Sequence, residues 1–100
     1  MRAKGGYVYI MTNKTRKCLY IGATNNLSAR TLEHKEGIGS VFTAKYKCTD
    51  LVYYECYECI EAAIEREKKL KKWRRVWKEE LIKSINPDFR DLYEEVEGYD

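Results

Sequence analysis

Two short segments near the start of the chain constrain its architecture more than any other feature. Gly6-Tyr-Val-Tyr-Ile-Met-Thr12 and Cys18-Leu-Tyr-Ile-Gly-Ala23 are rich in β-branched and aromatic residues, and the polar run Asn13-Lys-Thr-Arg-Lys17 separates them. Such a pair reads as an antiparallel hairpin. A four-residue loop at 13–16 would set Thr12 across from Lys17 and Tyr9 directly across from Tyr20. Side chains alternate along a strand. Tyr7, Tyr9, Tyr20 and Gly22 therefore share one face, and Val8, Ile10, Leu19 and Ile21 share the other, which is the expected core face.

Downstream, Thr24-Asn25-Asn26 offers a helix N-cap and Gly37 a helix stop. This predicts a helix over about 26–36 with Leu27, Arg30, Thr31 and His34 on one stripe. Residues 37–50 read as a loop with a short helical turn, holding Ser40, Thr43, Lys45, Tyr46 and Lys47. Asp50 to Glu58, centred on Leu51-Val-Tyr-Tyr54, reads as a third strand. From Cys59 to about Lys72 there is no Gly or Pro and an abundance of good helix formers. A further helix around Val76 to Ser84 ends before Asn86-Pro87. Phe89, Leu92 and Tyr93 should order part of the C-terminal segment, and the end should fray. The expected fold class is α+β: a small three-stranded antiparallel sheet flanked by helices, as one domain over residues 1–93 with an acidic tail at 94–100.

Charge is unevenly spread. Asp88 to Asp100 holds six acids and one arginine, a net −5, while the other 87 residues carry 18 basic and 10 acidic side chains, a net +8. A basic body suits a phosphate-binding surface, although ordinary solubility also accounts for it. No apolar run reaches the roughly 20 residues that cross a bilayer. The start lacks the apolar block of a signal peptide, so a cytoplasmic protein is expected. Of the four cysteines, Cys56 and Cys59 form one CxxC pair, but Cys18 and Cys48 stand alone. Zinc motifs usually show two close pairs, so free thiols are the expectation and a zinc-stabilised interaction domain is the lesser alternative.

One acid stands out. At about 100° per residue, Glu67 falls inside the apolar arc of Ile60, Ala63, Ile64 and Leu70, while Glu61 and Glu65 fall on the solvent side with Lys68, Lys69 and Lys72. An inward carboxylate costs desolvation energy unless it is paired or binds a metal. Two readings stay open: a buried ion pair with Arg30 or Arg74, or a metal ligand. Tyr7, Tyr9 and Tyr20 allow either cross-strand packing or hydroxyls aimed at a phosphate. Gly22 leaves that face bare, as at a close approach to a ligand. Arg30 offers a guanidinium for phosphate oxygens, or is simply a surface arginine. His34 is the lone histidine and by itself says little. The run Lys68 to Lys78 interleaves cations with Trp73 and Trp77. This suits a nucleic-acid backbone, but also a solvated helix face anchored by tryptophans.

Read together, these residues resemble the GIY-YIG nuclease superfamily. Its two signatures appear as Tyr7-Val8-Tyr9 and Tyr20-Ile21-Gly22. Arg30 and His34 follow at the family's helix spacing, Arg66-Glu67-Lys68-Lys69-Leu70-Lys71 matches its catalytic-glutamate helix, and Asn86 matches a late Asn. The chain looks most like the small one-domain bacterial branch related to the excinuclease nuclease domain, where segments like Phe42-Thr43-Ala44-Lys45-Tyr46 and Leu51 to Glu55 recur. One departure is that Tyr7 stands where the family has Gly, and its ring is expected to narrow the cleft.

The resemblance implies a metal-dependent endonuclease that hydrolyses phosphodiester bonds in DNA, in repair or recombination. One Mg²⁺ or Mn²⁺ would be held by Glu67. Tyr9, Tyr20, Arg30, His34 and Glu67 would be catalytic, and Gly22, Thr43, Lys45, Tyr46, Lys71 and Arg74 would meet the substrate. Tyr7 and Asn86 would support the site. Sequence selectivity would be low or supplied by a protein partner. The alternative on the same fold is a non-catalytic nucleic-acid-binding module.

Overall fold

The computed structural model describes residues 5–98. Three strands, β1 (Gly6–Thr12), β2 (Leu19–Thr24) and β3 (Asp50–Tyr57), form one antiparallel sheet in the order β2-β1-β3. The helices are α1 (Leu27–Lys35), α2 (Val41–Tyr46), α3 (Ile60–Lys71), α4 (Arg75–Ile85) and α5 (Tyr93–Val96). The class is α+β, as the sequence predicts. Among the described residues no helix is long and apolar enough to cross a membrane.

The hairpin register differs from the sequence reading. Thr12 faces Leu19, Tyr9 faces Gly22 and Met11 faces Tyr20. The loop therefore spans residues 13–18, because its own side chains build it. Asn13 Oδ1 accepts from the backbone N–H of Lys17 and Cys18, and Thr12 Oγ1 donates to Cys18 O. Arg16 takes a left-handed φ of 62°. Its guanidinium reaches Asp50 and Phe89 O, tying the loop to the start of β3 and to the C-terminal segment. The shift is two residues, so the faces keep their predicted membership.

Both faces of the sheet are covered. Val8, Ile10, Ile21, Val52 and Tyr53 pack with Ala63, Leu70 and Ile82, while Tyr7, Tyr9 and Met11 pack with Leu27, Cys48, Leu51, Leu92 and Val96. The tyrosine face is thus a second core face, and β1 is buried along its whole length. Val96, within the acidic tail, is buried there too.

An irregularity in the β1–β3 ladder sits where Ile10 pairs with Tyr53 but Met11 pairs with Leu51, leaving Val52 as the extra residue. Its carbonyl accepts from Asn86 Nδ2 at 3.0 Å. Asp91 Oδ1 and Leu92 N–H bond the Leu51 backbone in the same way. The C-terminal segment therefore closes the β3 edge, which would otherwise offer unpaired groups.

Candidate active site

Each candidate side chain is placed by a local rule. Asn26 caps α1 by accepting from Ala29 N–H. The helix closes at Gly37, with φ 82°, where Ile38 N–H reaches back to Glu33 O and Gly37 N–H to His34 O. Six-to-one closure of this kind needs a left-handed residue. Between these ends, Leu27, Thr31 and His34 turn into the core and Arg30 stays half-buried beside them.

Tyr9, on the buried centre of β1, meets His34 from below. Its hydroxyl lies 2.8 Å from His34 Nε2. On the other side of the ring, His34 Nδ1 lies 2.8 Å from Thr43 Oγ1, which in turn lies 2.8 Å from Ser40 Oγ. Ser40 is also the N-cap of α2, accepting from Thr43 N–H. A neutral imidazole donates through one nitrogen and accepts through the other, and this chain satisfies both. Tyr20 packs edge-on against His34 with centroids 5.3 Å apart, and lies 6.4 Å from the Tyr9 ring.

Two glycines make the packing possible. A Cβ on Gly22 would come 2.4 Å from Tyr9 Oη, and one on Gly39 would come 2.2 Å from His34 Nδ1. The first shows in the sequence as a gap on the tyrosine face. Gly39 gives no such signal, since its contact depends on how the loop after α1 folds back over the histidine.

The electrostatics centre on Tyr9. Burial pushes its phenol well above the ordinary range. Arg30 pulls it down, and Tyr20 and Glu67 push it further up. Arg30 and Glu67 are therefore both within electrostatic reach of one phenol, although they come from α1 and α3. Burial, and then the charge of Arg30, push His34 down to about 4, with Glu33 opposing. The imidazole is neutral at pH 7. Arg30 itself is held by Glu33, 2.9 Å away and one turn on.

Glu67 faces inward as its position in α3 predicts, with 18% of its side chain exposed, but its partner is neither Arg30 nor Arg74. It pairs with Lys71 one turn on, at 2.9 Å. Ile64, placed by the sequence on the same apolar face, is exposed at 37%. The sheet covers only the narrower stripe through Ala63 and Leu70. The neighbouring Arg66 fixes the helix on the other side, through a paired contact with Glu55 at 3.0 Å for each bond.

The other candidates divide. Thr43 is buried behind His34 and so holds the ring instead of facing a substrate. Tyr7 lies wholly in the core. Asn86 braces β3 and Arg90. Lys45 lies over Tyr46 and Arg74 over Trp77, both toward the surface. The cysteines are free: Cys56 and Cys59 are exposed, Cys48 is buried and Cys18 packs against the tyrosine-face core. Among the described residues no three of His, Cys, Asp and Glu gather as a metal cluster.

The model of the GIY-YIG catalytic domain matches residues 5–80. The chain belongs to the GIY-YIG family. Its relatives include a UPF0213 protein of Clostridium perfringens, 41% identical over 78 residues, which are 78% of this chain and 83% of that one. A UPF0213 protein of Haloquadratum walsbyi is 35% identical over 75 residues, covering 75% and 83%. One from Syntrophus aciditrophicus is 36% identical over 83 residues, covering 82% and 93%. No solved structure matches the chain. GIY-YIG domains are nuclease domains, so the GIY-YIG match directs attention to phosphodiester chemistry. The matched span holds Tyr9, Tyr20, Gly22, Arg30, His34 and Glu67, and stops before Asn86.

The donor set fits one kind of ion. Among the described residues Glu67 belongs to no group of three His, Cys, Asp or Glu, which does not suit zinc with its several N or S ligands. A single inward carboxylate does suit Mg²⁺ or Mn²⁺, which keep waters and share substrate phosphate oxygens.

Proposed function

We propose that this GIY-YIG chain is a divalent-metal-dependent endonuclease that hydrolyses phosphodiester bonds in DNA, in repair or recombination, with a partner protein supplying specificity. The observation that carries the reading is the buried Tyr9 hydroxyl held 2.8 Å from His34 Nε2 and flanked by Tyr20, inside the span that matches the GIY-YIG catalytic domain.

Tyr9 takes the proton of the attacking water. Burial keeps the resting phenol protonated, so it acts only by passing its own proton on. The tautomer of His34 with Nε2 accepting makes that transfer available, and the Thr43 hydroxyl, 2.8 Å from Nδ1, can accept from the ring's other nitrogen. Arg30 meets the phosphate oxygens and stabilises the charge that builds in the transition state. A phosphate there also offsets the Arg30 charge, which after burial is the second cause holding His34 neutral, so substrate binding raises the basicity of the relay. Tyr20 orients the nucleophile or the phosphate, and Gly22 leaves room beside Tyr9. Glu67 would hold Mg²⁺ or Mn²⁺, which supplies charge neutralisation at the scissile phosphate. Lys45, Tyr46, Lys71 and Arg74 meet the flanking backbone.

The Glu67–Lys71 pair favours a second reading, a nucleic-acid-binding module whose carboxylate is occupied by its own lysine. Nicking of supercoiled plasmid with Mg²⁺ or Mn²⁺, against EDTA, separates the two. The nuclease reading expects nicking that EDTA stops and that Glu67→Ala abolishes while the far-ultraviolet spectrum stays unchanged. Undiminished nicking by Glu67→Ala would remove the metal-ligand assignment.

A further inference from the structure

The aromatic contacts of the site continue past Tyr20. Its ring stacks on Phe42 with centroids 5.8 Å apart and planes 30° apart, and Phe42 meets Tyr46 at 4.7 Å. Three rings from β2 and α2 thus lead outward from His34. The outer two are 39% and 40% exposed, and Val41 of the same helix is 87% exposed. At the far end, Tyr46 lines a shallow cavity of ≈ 380 Å³ with Asn13, Lys14, Thr15, Lys47 and Thr49. Lys45 Nζ lies 5.4 Å from the centre of the Tyr46 ring.

The cations along this strip differ in what they pair with. Lys14 pairs with Asp50, but among the described residues Lys45 and Lys47 have no acidic partner within ion-pair distance. Lys47 closes α2 in a left-handed conformation with φ 56°. Glycine takes that position most easily, so a lysine stands where backbone preference would choose otherwise.

We propose that this strip binds an unpaired nucleic-acid strand running to the scissile phosphate, with bases stacked on Phe42 and Tyr46 and phosphates against Lys45, Lys47 and the cavity threonines. The inference rests on the nuclease reading of the adjoining site and names its substrate class: nucleic acid with a single-stranded segment beside the cleaved bond. Half-exposed rings offer stacking to any base whose own face is free, and a duplex keeps those faces covered. The unpaired lysines beside the rings favour a polyanion over an apolar protein partner.

The test is binding, measured in EDTA so that no cleavage occurs. Fluorescence anisotropy of a labelled oligothymidine and of a hairpin duplex of equal length is followed for the full chain and its variants. The wild type should bind the single strand more tightly than the duplex. Tyr46→Ala should weaken single-strand binding about tenfold, and Tyr46→Trp should keep it. Lys47→Gly removes the cation while favouring the local backbone. It should therefore fold at least as well, yet lower the salt dependence of binding by about one counterion. Equal affinity for both oligonucleotides, or binding indifferent to both Tyr46→Ala and Lys47→Gly, overturns the proposal. So does self-association lost in Tyr46→Ala, with oligonucleotide binding unchanged, which would assign the strip to a protein contact. A chain that binds through Tyr46 but never nicks DNA keeps the strand site and removes the nuclease reading. A chain that nicks DNA while ignoring Tyr46 does the reverse.

Discussion

Gly22 lies directly across the hairpin from Tyr9, and the tyrosine ring fills the space a side chain would take. A methyl group there would sit 2.4 Å from Tyr9 Oη and 2.5 Å from Cζ. No contact of that length survives, and the β1 backbone beneath Tyr9 is buried on both sides. The ring must therefore rotate or shift, which breaks its 2.8 Å contact with His34. Gly22→Ala should lower the nicking rate about 100-fold, the usual penalty for misplacing a reacting group by an ångström. The overpacking should cost about 1–3 kcal/mol of stability. Urea denaturation beside the plasmid assay reads both. A variant that nicks at the wild-type rate would show that the position of the Tyr9 ring does not matter to the chemistry.

His34 gives the site a recognisable pH signature. Its folded value near 4 lies below the 6.5 of an unperturbed imidazole. Between these values the unfolded chain binds a proton that the folded chain refuses. Stability therefore rises with pH across this window, and the contribution is lost as pH falls from about 6.5 toward 4. Its size is on the order of 3 kcal/mol. The difference in urea midpoint between wild type and His34→Gln should narrow steadily from pH 7 to pH 4. In the same way, the acid limb of kcat/KM that belongs to this ring should lie well below 6.5. An acid limb at an ordinary imidazole value would mean that the histidine facing the free active site is not the buried, Tyr9-bonded one.

How far the sequence predicts this arrangement depends on the range of the interactions involved. The faces of the hairpin are legible because side-chain direction has a period of two, and a two-residue slip leaves it intact. The register is not, because Asn13 and Arg16 build the loop with side-chain bonds to Cys18, Asp50 and Phe89. Glu67 is legible because helical geometry is rigid over two turns. Ile64 misleads because a helical wheel treats every apolar residue as buried, whereas the sheet covers a stripe only as wide as its own strands. Thr43 reads as a surface contact because residues 37–50 have the composition of a loop. The Ser40 cap that turns Thr43 inward is a local signal, but the histidine it meets comes from another helix. Gly39 and the Asn86 clamp depend wholly on tertiary packing.

The Glu67–Lys71 ion pair sets up a competition with metal. Lys71 is 53% exposed, so the pair should contribute only about 0.3–0.5 kcal/mol to folding. A cation that binds Glu67 must first displace the ammonium. Lys71→Ala should leave thermal stability nearly unchanged and tighten Mn²⁺ binding about threefold, as read by calorimetry or by the electron-spin signal of free Mn²⁺. Glu67→Gln should abolish the binding that Lys71→Ala strengthens. Unchanged Mn²⁺ affinity in Lys71→Ala would place the metal somewhere other than this carboxylate.

Asn86 tests whether a residue in the family pattern acts on the substrate or on the scaffold. Its carboxamide donates to Val52 O and Arg90 O, and its Oδ1 accepts from Arg90 N–H, with the residue 2% exposed. Val52 is the extra residue of the β1–β3 ladder, where the regular pairing is interrupted. Removing the carboxamide takes a donor from Val52 O and Arg90 O and loosens the turn that carries Phe89 O to Arg16. Asn86→Ala should therefore cost roughly 2–3 kcal/mol in urea denaturation. The folded fraction should keep a near-normal kcat and the same metal dependence when assayed well below the unfolding midpoint. A variant of unchanged stability and lost kcat would instead make Asn86 a participant in the chemistry, and would require the C-terminal segment to reach the Tyr9 cleft during turnover.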